Sequence, residues 1–244
     1  MSLSKDIKFK ILNYLKQPIP QNENMEIVKQ SIPVPFFGNI EDARVATISI
    51  NPSFGEFEKE GKLLEKSNKR FDDREILEVR DTSLLNQDQA EKVYDSLIHY
   101  FSEGHRPYMQ WFGWLEKYAG KIYESSYYDG TMVHLDIYPW ATKKIWSKLD
   151  EKQREKALQD YSLLKDILKE QHFKYIYING KEVKNQLEKY FGIKITENKH
   201  KQWTIYKYQL DNGTVLIGSS CYLKNSHKTR EDLIKLHNIL SENL

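Results

Sequence analysis

Two polar side chains that can hydrogen-bond to a ligand follow short apolar runs in this chain. Asn51 comes directly after the β-branched run at residues 45–50, and Asp136 follows the apolar positions of a second run that begins at residue 132. An amide both donates and accepts hydrogen bonds, whereas an ionised carboxylate only accepts them. Ligands of open α/β sheets bind outside the carboxyl ends of the strands. We therefore expect Asn51 and Asp136 to emerge at the same edge of a parallel sheet and to form a binding site there.

The residues around Asn51 predict a buried strand that ends abruptly. Pro52 has no backbone N–H and biases Asn51 towards an extended conformation, and Gly55 permits a tight turn out of the sheet. A structural role for Asn51 is also open, because asparagine side chains often cap the loop that follows them.

Asp136 has structural alternatives as well. Its carboxylate could pair with a buried arginine or lysine, or cap the loop at Pro139. His134 shares a face with Asp136 because side chains alternate along a strand. A lone strand histidine is more often packed than catalytic, so both interpretations of His134 stay open.

Composition narrows the class of protein. The chain has 244 residues with 37 basic and 35 acidic side chains, so any nucleic-acid surface must be a local patch. Cys221 is the single cysteine, which excludes intramolecular disulfides and sites that need several thiolates, and we expect it to be a packing residue in a cytoplasmic protein. No apolar stretch approaches the roughly 20 residues of a membrane span. Gly-rich phosphate loops, His-Glu-x-x-His motifs and paired acidic metal motifs are absent, so nucleotide hydrolysis and metal-dependent nuclease action have no support in the sequence.

Apolar periodicity predicts one α/β domain over residues 1–244, with an N-terminal docking helix at about 4–16 that Ser4 caps and a helical insertion at about 56–128. Strand patterns alternate with helix patterns, which predicts a three-layer α/β/α sandwich around a mostly parallel sheet of four to five strands. Further strands are predicted at residues 173–179, 203–210 and 214–219, and further helices at 89–101, 107–118, 147–171, 181–190 and 229–240. The aromatic stripe of the second of these helices, with Trp111 and Trp114, is expected to be core.

Several segments together resemble the uracil-DNA glycosylase superfamily. Residues 33–39 and 45–55 are similar to its first motif region, in the Gly-x-Asn-Pro-Gly form of the single-strand-selective and mismatch-specific branches. His134-Leu135-Asp136 resembles the strand that reads the flipped base, and residues 173–191 resemble the third βα unit. The resemblance covers roughly residues 33–240 and is weakest over 56–128. It implies a uracil-DNA-glycosylase-like fold and a monofunctional DNA glycosylase that needs no cofactor or metal, acts on single- or double-stranded DNA, and is expected to be a monomer.

The same resemblance implies roles for the residues of the first motif. Asn51 would orient the attacking water, the backbone of Pro52, Ser53 and Phe54 would line the pocket, and Phe54 or Phe71 would stack on the base. Such a site must position water and stabilise the departing base, and a duplex base must first be flipped out.

Asp136 departs from the family pattern, in which an asparagine typically reads uracil. An ionised aspartate only accepts hydrogen bonds, which suits a base that presents an exocyclic amino group. We therefore expect a cytosine-type or modified base as the target. His134, on the same face, is a candidate contact to that base.

The second family motif is altered. Where members usually carry His-Pro-Ser or Asn-Pro-Ser, this chain has residues 218–227 without a proline. His227 or Asn225 could stabilise the leaving base, or His227 could simply cap a helix in a solvated loop. The candidate DNA-binding residues of this region are Ser220, Lys224, Asn225, Lys228 and Arg230, of which the cations would contact phosphate at a helix N-terminus.

Three hypotheses from different classes follow from the sequence. The first is a DNA glycosylase. The second is a catalytically silent DNA- or nucleotide-binding member of the same fold, which the altered second motif favours. The third is a protein-interaction module that reuses the fold, because a fold does not fix a function.

Overall fold

The computed structural model describes residues 4–21, 25–157, 162–200, 203–223 and 230–242. Its strands are β1 (Phe36–Phe37), β2 (Val45–Ser49), β3 (Glu58–Lys59), β4 (Lys62–Leu63), β5 (Met132–Asp136), β6 (Tyr175–Asn179), β7 (Thr196–His200), β8 (Trp203–Gln209) and β9 (Val215–Ser219). Its α-helices are α1 (Lys5–Leu15), α2 (Gln87–Ile98), α3 (Met109–Leu115), α4 (Lys121–Tyr123), α5 (Glu151–Ala157), α6 (Ser162–Glu170), α7 (Lys181–Phe191) and α8 (Arg230–Glu242).

The central sheet has seven strands in the order β1-β5-β2-β6-β9-β8-β7. The four inner strands β5, β2, β6 and β9 are parallel, and β1, β8 and β7 are antiparallel to their neighbours. The expectation of four to five strands was therefore too low, because the short strand β1 and the polar strand β7 extend the sheet at its two ends. The expectation of a mixed α/β fold with a large, mostly parallel sheet is confirmed.

The connections reverse direction around β2. The chain passes from β2 to β5 on one side and then crosses to β6 on the other side. Such a switch point between parallel strands is where open α/β sheets place ligands, outside the carboxyl ends of the strands. The edge that carries Asn51 is therefore the edge at which a ligand is expected.

Helices flank the sheet. Helix α1 begins at the predicted cap, where the Ser4 hydroxyl accepts a hydrogen bond from the backbone N–H of Ile7 at 3.2 Å. Its buried face packs against α2 and α6. The helix predicted over residues 147–171 is represented by α5 and α6, and its residues 158–161 lie outside the described part of the chain.

The strands predicted at residues 203–210 and 214–219 are present as β8 and β9, which pair as an antiparallel hairpin. Gly213 has a φ of +88°, a left-handed conformation that glycine adopts without strain. The neighbouring edge strand β7 was not predicted, because its five residues are all polar and give no alternating pattern. Cys221 is buried and forms no disulfide, as expected of a packing residue. None of the helices in the described ranges has the length and hydrophobicity that crossing a membrane requires.

The backbones of β6 and β9 lie close together at Gly218, so a substitution there tests the packing of the central sheet. A Cβ atom at Gly218 would lie 2.2 Å from the carbonyl oxygen of Ile178, its register partner on β6. We expect Gly218→Ala to lower the free energy of unfolding by about 3 kcal/mol or more, because the backbone of a central strand pair must move apart. Gly113→Ala is the control, since its Cβ would meet only the flexible end of Met109 at 3.4 Å and alanine favours the helix. Chemical denaturation of both variants measures the effect, and equal stability would contradict this packing.

Candidate functional site

Asn51 and Asp136 emerge at the same edge of the sheet, as the sequence predicted. Ser49 and Asp136 are register partners on the parallel strands β2 and β5. The pairing continues past the strand ends, since the N–H of Tyr138 donates to the carbonyl of Ile50 at 2.7 Å. Both candidate residues therefore belong to neighbouring chain segments at the carboxyl ends of β2 and β5.

The Asn51 side chain joins two loops at this edge. Its Nδ2 donates to the carbonyl of Trp140 and to the hydroxyl oxygen of Thr142, both at 3.3 Å, and to the carbonyl of Pro52 at 3.1 Å. The amide group thus has the structural role that was one alternative for this residue. Its Oδ1 accepts no hydrogen bond from the residues that the structure describes, so the oxygen can bind a water molecule or ligand.

The loop after Asn51 exposes one aromatic ring. Pro52 is buried, and the Ser53 hydroxyl accepts a hydrogen bond from the N–H of Gly55 at 3.2 Å, which starts a short 3-10 helix. Ser53 also forms a β-bridge with Thr142. Phe54 is 43% exposed at the tip of this loop, where its ring can contact a ligand.

Arg70 binds the backbone of this loop through hydrogen bonds. The Nη1 of Arg70 donates to the carbonyls of Gly55 at 2.6 Å and Glu56 at 3.2 Å. The buried Glu56 carboxylate in turn accepts a hydrogen bond from the Tyr100 hydroxyl at 2.6 Å. Burial, together with the nearby Glu56 charge, raises the pKa of Tyr100 well above its ordinary range, so this phenol stays a hydrogen-bond donor.

Phe71 belongs to an aromatic core cluster. Its side chain is 4% exposed, and its ring stacks on Phe57 and Tyr100 at centroid distances of 5.5 and 5.2 Å. The ring therefore offers no free face to a base in this arrangement. Of the two candidate stacking residues, only Phe54 lies where a base could reach it.

A buried chain of polar groups leads from Tyr127 to Asp136. The Tyr127 hydroxyl lies 2.5 Å from the Thr47 hydroxyl, which lies 2.6 Å from Nδ1 of His134. The Nε2 of His134 is 3.4 Å from Oδ1 of Asp136. The tautomer in which Nδ1 of His134 accepts from the Thr47 hydroxyl carries a proton on Nε2 and directs that N–H towards the carboxylate.

Asp136 is buried, and its carboxyl group lacks hydrogen-bond partners that would replace its hydration. It is 3% exposed, and neither carboxyl oxygen has a hydrogen bond of good geometry to a described residue. Burial raises the pKa of Asp136, and the nearby His134 opposes that rise. No lysine or arginine side chain that the structure describes forms an ion pair with it, and its charged neighbour among these residues is His134.

Two aromatic rings pack over this end of β5. The Trp111 ring lies 6.2 Å from the His134 ring and 5.6 Å from the ring of Tyr222. Burial and the Asp136 charge raise the pKa of Tyr222. On the opposite side, a cavity that Asp136 lines with residues of α1 and α6 has a volume of about 10 Å³, room for one water molecule but not for a base.

A row of polar residues that the sequence did not single out crosses the sheet beside Asp136. Ser49 pairs with Asp136, Asn179 pairs with Ser219, and the Asn179 amide lies 3.5 Å from the Ser49 hydroxyl. All are buried. The signal in the sequence is that each of the four parallel strands ends on a polar residue, which is easily mistaken for the start of a loop.

The altered second motif is only partly described. Ser220 exchanges two hydrogen bonds with Thr204, at 2.8 and 3.0 Å, so it is turned towards β8. Arg230 begins α8, and its side chain is outside the described part of the structure. The remaining candidates of this region, Lys224, Asn225, His227 and Lys228, also lie outside the described residues. Within the described ranges, no group of three or more His, Cys, Asp or Glu residues could hold a metal ion.

Substitution of Asp136 tests the cost of its burial. We expect Asp136→Asn to raise the free energy of unfolding at neutral pH by about 1–3 kcal/mol, the cost of a buried polar group without good partners. Because burial raises the pKa in the folded state, the folded wild type holds this proton more tightly, and the difference should shrink as the pH falls towards the ordinary value of 3.8. Asp211→Asn, in the exposed hairpin turn, is the control. Denaturation curves across pH measure both, and a destabilised, pH-independent Asp136→Asn would contradict this account.

Comparison with known proteins leaves the site to be interpreted from its own geometry. No model of a protein family matches the chain, and no curated protein matches it either. The family that the motifs resemble therefore enters only as part of a proposal.

Proposed function

We propose that this protein is a DNA glycosylase that hydrolyses the N-glycosidic bond of a flipped-out base, with a cytosine-type or modified base as its target. The observation that carries the proposal is the position of Asn51 at the carboxyl end of β2, beside Asp136 on the neighbouring parallel strand. The resemblance of residues 45–55 to the first motif of uracil-DNA glycosylases supports the same assignment. The proposed reaction needs neither a metal nor a cofactor.

The hydrogen bonds of Asn51 suit the orientation of a water molecule. Trp140 and Thr142 hold the Nδ2 end of the amide, so Oδ1 keeps a fixed direction. A water that donates to Oδ1 can attack C1′ of the sugar while the C1′–N bond breaks. The base departs with the bonding electrons and takes up the proton that the water loses. A fixed amide contributes by positioning, since it is too weak a base to remove the proton itself.

Asp136 supplies the group that would read the base. In its ionised form the carboxylate accepts from an exocyclic amino group, and Nε2 of His134 on the same strand lies 3.4 Å from its Oδ1. The Trp111 ring packs on His134 and the Tyr222 ring packs on Trp111, so we expect both rings to move aside when a base reaches Asp136. Phe54, exposed at the rim, is the ring placed to stack on the base.

A second candidate function is nucleic-acid binding without bond cleavage. The packing around Asp136 and the absence of a proline in the second motif favour this alternative. Binding would then use the rim of the site, with the exposed Phe54, and would not need the buried carboxylate. Base release distinguishes the two candidates directly.

Removal of the Asn51 side chain tests the catalytic proposal. We expect Asn51→Ala to lower the rate of base release by about 100-fold, because the water loses its fixed position. Strand cleavage at the resulting abasic site, in oligonucleotides that carry modified cytosines or uracil, measures the rate. Asn198→Ala, an equivalent change on the exposed edge strand β7, should leave the rate unchanged. If the wild type releases no base from any of these oligonucleotides, the binding-only alternative replaces this proposal.

Replacement of Asp136 by Asn tests which base is read. An amide can also donate, so Asp136→Asn should shift the ratio of release rates from amino-bearing bases towards uracil by about 10- to 100-fold. In the wild type, a protonated carboxyl can also donate, and its raised pKa brings this form closer to neutral pH. The preference for an amino-bearing base should therefore weaken as the pH falls. Strong release of uracil by the wild type at all pH values would end this part of the proposal.

A further inference from the structure

The buried chain of polar groups that leads to Asp136 begins at a phenol with one hydrogen-bond partner among the described residues. The Tyr127 ring stacks on Phe101 at a centroid distance of 4.5 Å and is 2% exposed. Burial raises the pKa of Tyr127 well above its ordinary range, so the phenol keeps its proton. The described acceptor for that proton is Oγ1 of Thr47, at 2.5 Å.

Acceptance of the phenol proton determines the direction of the next hydrogen bond. A threonine hydroxyl has a single proton, and the other short contact of Thr47 is Nδ1 of His134 at 2.6 Å. Because Oγ1 accepts from Tyr127, its own proton goes to Nδ1, and the imidazole proton is then on Nε2. Nε2 lies 3.4 Å from Oδ1 of Asp136. In this direction, from Tyr127 towards Asp136, every proton of the chain faces an acceptor.

Reversal of the chain leaves a buried proton without an acceptor. A protonated Asp136 could donate to Nε2 only if the imidazole proton were on Nδ1 and donated to Thr47. One hydroxyl proton, on Thr47 or on Tyr127, would then have no described acceptor, and an unpartnered buried donor is costly. Aromatic rings pack around the imidazole, those of Phe37, Trp111 and Phe112.

The other titratable side chains around this chain are phenols and one carboxylate. The Asp136 charge adds to burial in raising the pKa of both Tyr127 and Tyr222, so both phenols stay neutral. Tyr14 of α1 lines the small cavity beside Asp136. At the far end of the chain, the Glu116 carboxylate accepts from the backbone N–H of Tyr127 at 3.0 Å. The group that can exchange a proton with Asp136 near neutral pH is therefore the imidazole.

We propose that Thr47, oriented by Tyr127, is a positioning residue that makes His134 present an N–H and keeps Asp136 a hydrogen-bond acceptor. The inference rests on the proposed base-reading role of Asp136 and adds the group that keeps its carboxylate ionised. Oδ1 faces the Nε2–H, whereas Oδ2 has no hydrogen-bond partner among the described residues. Oδ2 is therefore the atom that meets the exocyclic amino group of a base.

NMR of the ring nitrogens of the wild type tests the direction of the chain. A long-range proton–nitrogen correlation spectrum separates protonated from unprotonated nitrogens of a histidine ring. We expect His134 at neutral pH to have an unprotonated Nδ1 and a protonated Nε2. A proton on Nδ1, with or without a second proton on Nε2, would overturn the proposal.

Substitution of Thr47 tests its control over Asp136. In Thr47→Val, Nδ1 has no hydroxyl partner in either direction, so the preference for an ionised Asp136 is lost. We expect the midpoint of the Asp136 titration, followed by the NMR signal of its carboxyl carbon, to rise by about one pH unit, a tenfold change in the equilibrium. Thr47→Ser keeps the hydroxyl and should keep the wild-type midpoint.

A buried threonine elsewhere provides the matched control. Thr214 is 1% exposed, and its hydroxyl has no hydrogen-bond partner among the described residues, so Thr214→Val should leave the midpoint unchanged. Thr47→Val also leaves the Tyr127 phenol without an acceptor. If that variant does not fold, the double variant Thr47→Val/Tyr127→Phe removes the orphaned phenol and should show the same rise.

These NMR measurements need no DNA, so the positioning role and the catalytic proposal can fail separately. If the wild type releases no base while the Nε2–H tautomer and the raised midpoint are both observed, the direction of the chain stands and the catalytic proposal fails. If the wild type releases base while Thr47→Val keeps the wild-type midpoint, the positioning role is overturned. An equal rise in Thr47→Ser would also overturn it, because the hydroxyl would then not be the cause.

Discussion

Parallel pairing of β2 with β5 on one side and β6 on the other is the constraint on which the candidate site depends. All five residues of β2 are buried, so both of its faces are fixed by packing. A shift of one residue in the register would turn Thr47 and Ser49 to the opposite face. In the observed register Thr47 meets His134 and Ser49 meets Asp136, so the apolar residues of β2 determine where the polar ones meet.

This register buries the carboxyl group of Asp136, which lowers the stability of the fold. Burial of an ionised group is unfavourable unless partners replace its hydration, and among the described residues the near partner of Asp136 is His134 at 3.4 Å. The hydrogen bonds of Tyr127 and Thr47 fix the histidine and do not reach the carboxylate. An asparagine or an apolar residue would fill the same volume at lower cost. Unfavourable arrangements of this kind are found preferentially where a protein binds or reacts, which makes Asp136 a candidate functional residue.

The sequence predicted the parts of the site that local patterns determine. The apolar run before Asn51 and the proline after it are neighbours in sequence, so the end of β2 and its edge could be predicted. The packing of Phe71 could not, because the rings that stack on it come from other segments of the chain. The cover over Asp136 was missed for the same reason, since Trp111 and Tyr222 come from distant segments. Strand β7 was missed because an exposed edge strand has no buried face to produce an alternating pattern.

The packed cover is a modest barrier to base binding in energetic terms. Tyr222 is held by its ring contact with Trp111, by its fit against Gly180, and by the hydrogen bond from the N–H of Leu223 to Oδ1 of Asn179 at 3.1 Å. An aromatic pair contributes about 0.5–1.5 kcal/mol, a hydrogen bond about 1 kcal/mol, and the return of a buried ring to water costs about 1.5–3 kcal/mol, so opening the cover costs on the order of 3–5 kcal/mol. A base that donates hydrogen bonds to the buried carboxylate can offset this cost. The closed arrangement is therefore compatible with base binding at Asp136.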